Sequence, residues 1–222
     1  MKEQKKEIIK HKKPILNLNG KKYSFSLYSI TSLILGGPIL CAFIFIFLSM
    51  RINYWLYELT AKQIAFILNY LFNVNCQVII YTEQNFFPTI LIPNHPFSGN
   101  FSITTECIAA HVFSIFIGLI VCVPSSQDPL GKEDFKWRKS NILIISISVI
   151  HILNIFRIAL LLFFHFHGIP FEFIHQSLFF ITAIVGALFF TFLLHKWLPE
   201  IFISIYYIYP LISQRRSVKI NG

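Results

Sequence analysis

Residues Thr104 to His111 read Thr-Thr-Glu-Cys-Ile-Ala-Ala-His, so a thiol, a carboxylate and an imidazole stand at the mouth of a long apolar run. Ionisable groups in such a place are energetically expensive and default to a functional hypothesis. Cys107 is the candidate nucleophile, because a thiolate beside a cation or a base is reactive at neutral pH. Glu106 directly precedes it. Farther along, Arg157 lies within a second apolar stretch and His175 begins a third. A guanidinium in a low-dielectric site can stabilise a tetrahedral oxyanion. An imidazole can take the thiol proton or protonate a leaving amine. Two histidines are suited to that role, His111, one helical turn beyond Cys107, and His175. His151, Asn154 and Arg157 recur every three residues and so share one helix face, with Asn154 as an orienting hydrogen-bond partner. These are the parts of thiol-based acyl transfer.

The elements that must position them are membrane helices. The chain has 222 residues, of which 55% are hydrophobic and 13% charged, and its mean hydropathy is +0.63. That composition predicts an all-α integral membrane protein. A crossing takes roughly 20 apolar residues, so about four or five fill the length and no separate soluble domain fits. The net charge of +9 does not point to nucleic acid. Of the nineteen Lys and Arg, all but Arg51, Lys62 and Arg157 fall before residue 23, within 125–140, or from Lys196 onward. Basic segments alternating with apolar runs follow the positive-inside rule rather than a groove-lining patch.

In order, residues 1–26 form a Lys-rich cytoplasmic tail. It is not a cleavable signal peptide, because its polar residues precede the first apolar run and no small-residue cleavage site follows that run. Residues 27–50 form the first span, with a kink expected at Gly36-Gly37-Pro38. Residues 52–72 mix apolar and polar side chains and predict an amphipathic interfacial helix, with Tyr54, Trp55 and Tyr57 at headgroup level. A full crossing there is the competing reading. Residues 73–105 carry the short runs Val78–Tyr81, Thr89–Ile92 and Phe101–Thr104 between Asn, Pro and Gly, which predict a small strand-rich extracytoplasmic segment. Span two covers 107–124, a charged loop 125–140, span three 141–167 and span four 173–195. Residues 198–222 form an interfacial or re-entrant helix and a basic tail. The prediction is therefore four transmembrane helices with interfacial helices, both termini inside. Cys107, Arg157 and His175 then lie toward the same, outer membrane face.

At these residues the chain resembles the exosortase/archaeosortase family. The resemblance rests on Glu106-Cys107 at a span start, Asn154-Ile155-Phe156-Arg157 in the next span and His175 at the start of the one after. It covers roughly Phe66 to Ala187. It implies a cysteine transpeptidase or protease in the cytoplasmic membrane with its active site outside. Its partners would be exported precursors ending in a short motif, a transmembrane helix and a basic cluster, with transfer to a surface acceptor. By position, Cys107 is the nucleophile, Arg157 the stabiliser and His175 the acid/base; the match favours His175 over His111. The family often continues the cysteine with Ser-Gly, where this chain has Ile108-Ala109-Ala110. No cofactor is expected.

Blander readings stand beside this one. A Cys76–Cys107 disulfide in an oxidising compartment would block the nucleophile. Arg157 could pair with Glu106 or Glu172 simply to hold helices together. His165, His167, His175 and Glu172 offer zinc-ligand types, although their spacing is not a known signature. A non-enzymatic membrane scaffold or polysaccharide-export partner is the alternative function. A transporter has less support, since no inverted repeat is present.

Overall fold

The structure, a computed structural model, describes residues 16–18, 21–80, 87–93, 100–126 and 134–209. The start of the basic tail, much of the 125–140 loop and the segment from residue 210 lie outside the described residues. The elements are β1 (Leu16–Leu18), β2 (Lys21–Tyr23), α1 (Leu27–Leu48), α2 (Tyr54–Phe72), β3 (Gln77–Ile79), β4 (Thr89–Leu91), β5 (Asn100–Ser102), α3 (Ala110–Cys122), α4 (Phe135–Phe166), α5 (Phe171–Trp197) and α6 (Glu200–Tyr209). The architecture is mostly helical, with one three-stranded sheet and one two-stranded hairpin.

Among the described residues three helices, α1, α4 and α5, are long and apolar enough to cross a bilayer. Their outer faces carry side chains that water would not tolerate in such density, among them Phe43, Phe180 and Phe192, each more than 60% exposed. The expected span two differs. Its apolar run begins at Cys107, but Ala109 takes a left-handed backbone (φ 55°, ψ 33°), so α3 starts only at Ala110. Its 13 residues rise about 20 Å, short of what a crossing alone requires.

The kink expected in α1 takes the form of a wide π turn over Ser32–Gly36 inside a continuous helix. Pro38 has no N–H to donate and its ring crowds the preceding turn, which the wider turn accommodates. α3 then runs back antiparallel along α1. His111 meets Phe45, the Cys41 thiol points at the Ile115 carbonyl, and Gly118 packs against Cys41 and the Gly37 carbonyl. A Cβ at Gly118 would drive into the Cys41 sulfur, so glycine is what lets these two backbones approach.

α2 buries one stripe, Tyr57, Ala61, Ile64, Ala65 and Leu68, against Ile158 and Leu162 of α4. The i, i+3/i+4 spacing explains the stripe. Two expectations change here. Tyr57 is wholly buried rather than at headgroup level, and the exposed face of α2 is largely apolar, with Leu59, Phe66 and Leu71. Asn73, in the left-handed region at φ 52°, ends the helix, and the Val74 N–H closes on the Leu68 carbonyl.

The sheet has antiparallel order β3-β4-β5, with Val78, Ile90 and Phe101 in register. Its strands start within a residue of the predicted runs and are shorter. Ile90 and Ile103 are fully buried in the same core as α2 and α4.

α4 and α5 form a hairpin about Gly168, whose φ of +86° suits glycine. At the far end of this hairpin Arg138 donates to the Trp197 carbonyl and to Glu200, with Nη2 2.7 Å from Oε1. Glu200 is buried, so its charge needs that partner. The same end gathers Tyr23, Phe25 and Ile30 with Ile203 and Tyr207 of α6. The segment predicted as a tail up to residue 26 thus contains the β1–β2 hairpin and docks on α6.

Candidate active site

After β5 the ladder closes with the Ile103 N–H on the Pro88 carbonyl, and Thr104–Ala109 form a turn. The Ala109 N–H returns to the Glu106 carbonyl, while the Ala109 carbonyl accepts from Phe113 in the first turn of α3. A left-handed alanine costs about 1–2 kcal/mol. The consequence is that Cys107 stands off the helix, between strand end and helix start, and its thiol points back toward the sheet. The sulfur lies 3.6 Å from Thr104 Oγ1 and 4.0 Å from the Ser102 carbonyl oxygen.

Three helices pin this turn. Asn154 of α4 donates through Nδ2 to the Cys107 carbonyl at 2.5 Å. The hydroxyl of Tyr57 in α2 lies 3.1 Å from Thr105 Oγ1 and 3.3 Å from the carbonyl of Leu48, the last residue of α1. One turn beyond Asn154, Arg157 is close enough for its charge to act on both Cys107 and Glu106. Its guanidinium carbon lies 6.0 Å from the Phe179 ring centroid on α5. Among the described residues no carboxylate stands within ion-pair distance of Arg157, whether Glu106 or Glu172.

Burial pushes the Cys107 thiol above its ordinary value. The Thr104 hydrogen bonds and then the Arg157 charge pull it back, and nearby Glu106 adds a smaller upward push. Burial prevails, so the resting thiol is protonated at neutral pH and needs a base. In a variant with Cys41, Cys76 and Cys122 replaced by Ser, we expect the alkylation rate of Cys107 still to climb at pH values above a free thiol's ordinary range, about 8.5. Arg157→Gln should move the midpoint further up, because a charge that favours thiolate is gone. A rate that levels off by about pH 8, below a free thiol's usual range, would contradict this electrostatic account.

The histidines divide. His111 faces Phe45 of α1, with ring centroids 4.7 Å apart. His175 stacks on Phe171 at 5.6 Å, and Phe171 in turn approaches Phe101 of β5 at 6.1 Å. Among the described residues, neither imidazole hydrogen-bonds the thiol. His151 bonds Gln63 of α2 at 2.9 Å. His165 and His167 turn their Nδ1 atoms to the Ile169 and Phe163 carbonyls, and no group of three metal-ligating side chains forms among the described residues. Cys76 and Cys107 are both free thiols, and Cys76 points at the Ala65 carbonyl.

The structure therefore ties Cys107 to Asn154, sets Arg157 one turn farther along the same helix, and leaves His175 stacked on Phe171, which approaches β5. Tyr57 and Ser102 are parts of the site that the sequence did not single out as such, and Thr104, inside the opening stretch, was given no role of its own. The buried stripe on α2 held the signal for Tyr57; nothing local held one for Ser102. No protein-family model matches the chain, and neither does a curated protein or a solved structure.

Proposed function

We propose that this chain is a membrane cysteine transpeptidase or protease, similar to the exosortase/archaeosortase family, that cuts C-terminal sorting signals of exported proteins. The observation that carries the reading is the Asn154–Cys107 bond, which holds the nucleophile's backbone one helical turn from an arginine without a carboxylate partner among the described residues. Strained, over-determined backbone beside unpaired charge is a pattern of reaction centres rather than of structural packing.

The reaction balances with these groups. An imidazole, His175 in the family pattern and His111 as competitor, takes the Cys107 proton. Sulfur bonds to the scissile carbonyl carbon, and Arg157 stabilises the oxyanion. The C–N bond breaks, the imidazole returns the proton to the leaving amine, and a thioester remains on Cys107. Water or an acceptor amine then resolves it. No cofactor enters.

Localisation follows the same proposal. The chain sits in the cytoplasmic membrane with four crossings, α1, α3, α4 and α5, and α3 is completed by the residues flanking it. α2 and α6 lie at the interfaces. The end where β2, Arg138 and α6 meet is cytoplasmic, in line with the basic segments that flank it, and the Cys107 end is outside. The partners are precursors ending in a motif, an apolar helix and a basic cluster. The burial that keeps the thiol protonated favours a second reading, a scaffold or polysaccharide-export partner with no reaction at Cys107.

Hydroxylamine separates the two, because it intercepts thioesters. Such a precursor from the same genome, incubated with the protein in membranes, should yield a shortened product bearing a C-terminal hydroxamate. An unaltered precursor, or a product that never carries hydroxamate, would favour the scaffold or a different chemistry.

A further inference from the structure

The two edges of the small sheet are not equivalent. In an antiparallel ladder, alternate residues turn both N–H and C=O toward the neighbouring strand. The Ile103 N–H bonds to the Pro88 carbonyl, and Phe101 stands opposite Ile90 in the same register. Residues 101 and 103 therefore face β4, and the N–H and C=O of Asn100 and Ser102 face away from it, toward an edge that no described strand covers. The close approach of Thr89 Oγ1 and Ser102 Oγ, 3.2 Å, fits a pair that does not exchange backbone bonds.

At the other edge, Gln77 and Ile79 stand opposite Leu91 and Thr89, so Cys76 turns outward. Both of its backbone groups are taken by one side chain of α2: Asn69 Oδ1 accepts from the Cys76 N–H at 2.6 Å, and Asn69 Nδ2 donates to the Cys76 carbonyl at 2.9 Å. That edge is blocked at its Cys76 end. The edge along β5, which no described strand covers, ends at the nucleophile, since the Cys107 thiol sits on the outward carbonyl of Ser102.

Unpaired strand edges are templates for another strand. We propose that the outward edge of β5 receives the precursor's cleavage segment in extended form, as a fourth strand that passes Cys107. This rests on the acyl-transfer reading above and names how that site holds its substrate. A precursor residue opposite Ser102 would give its N–H to the Ser102 carbonyl and take the Ser102 N–H on its own carbonyl. A second such pair forms at Asn100, roughly 7 Å away. The incoming amide competes for the acceptor that the resting thiol uses, which frees the sulfur as substrate arrives. Recognition through backbone groups also means that sequence preference would come from alternate side chains only.

The probe is the precursor used with hydroxylamine, and the protein is full-length in membranes. Ser102→Pro removes the outward N–H and no ladder bond, and proline is tolerated at such edge positions. It should slow processing at least about tenfold, the scale of a lost hydrogen bond to substrate. Ile80→Pro makes the same change next to the edge blocked at Cys76 and should leave processing near wild type. Where Ser102→Pro fails to accumulate, cross-linking decides. With Asn100→Cys as the lone cysteine in a Cys107→Ala chain, single cysteines are walked through the precursor ahead of its apolar helix. Disulfides should recur at every second position. Cross-links with a helical period, none at all, disulfides joining two copies of this chain, or wild-type processing by an accumulating Ser102→Pro would overturn strand addition. If Cys107→Ala itself processes the precursor, it is the acyl-transfer reading that fails.

Discussion

Cys107→Ala is expected to accumulate in membranes at the wild-type level and to leave the precursor uncut, a loss of at least about 10³-fold for removal of a covalent nucleophile. The two halves of that result have separate physical sources. Asn154 holds the turn through the Cys107 carbonyl, Tyr57 through Thr105, and the Ala109 N–H through the Glu106 carbonyl; none of these bonds uses the sulfur. The thiol contributes two long contacts, at 3.6 and 4.0 Å, and about 1 kcal/mol of burial. Alanine fits the same backbone, so the fold survives while the chemistry stops. Cys76→Ser is the matched control. Serine keeps a donor for the Ala65 carbonyl, and Asn69 binds only the backbone of residue 76, so processing should continue. Measuring both variants by precursor conversion, with protein level followed by immunoblot, checks this. Conversion by Cys107→Ala would remove the thiol from the mechanism.

The long helices were legible because apolar runs of that length have few alternatives. Asn154 and Arg157 were legible too, since a three-residue recurrence of polar side chains marks one face. What remained hidden lies in backbone conformation and register. Nothing in Ile108-Ala109-Ala110 announces a left-handed alanine, because alanine is the best helix former and the bonds that Asn154 and Tyr57 make to the Thr104–Ala109 turn override that preference. That one residue shortens α3 and turns the cysteine toward the sheet. Tyr57 illustrates a second limit. Beside Tyr54 and Trp55 it looks like an interfacial aromatic, and only the partner stripe on α4 makes it a buried bond to Thr105. The β1–β2 hairpin was obscured by its lysines, which read as a solvated tail. The inequivalent sheet edges follow from register, and composition carries no register.

Arg157→Gln is expected to lower processing by about 10²–10³-fold, the usual effect of removing an oxyanion donor, while leaving the protein as stable as wild type or more so. Whether stability is kept decides what the arginine is for. A cation held only to join helices would have a carboxylate within ion-pair distance, and its loss would strand that partner. Here the described surroundings supply the face of Phe179 at 6.0 Å, worth about 0.5–2 kcal/mol, against a cost of at least about 2.5 kcal/mol for an arginine within a membrane helix. Such an imbalance is retained only where something else needs the charge. Thermal unfolding in detergent, read beside precursor conversion, distinguishes the cases: lower stability with proportionate loss of conversion marks a structural strut, and unchanged stability with lost conversion marks a functional cation. The pH dependence adds a sign. Arg157 holds the thiol down against burial, so in Arg157→Gln more alkaline medium should recover the part of the loss that comes from thiolate supply. The remainder, which belongs to the oxyanion, should not recover at any pH. Arg157→Lys keeps the charge but not the planar fork, and should fall between the two in conversion while following the wild-type pH profile.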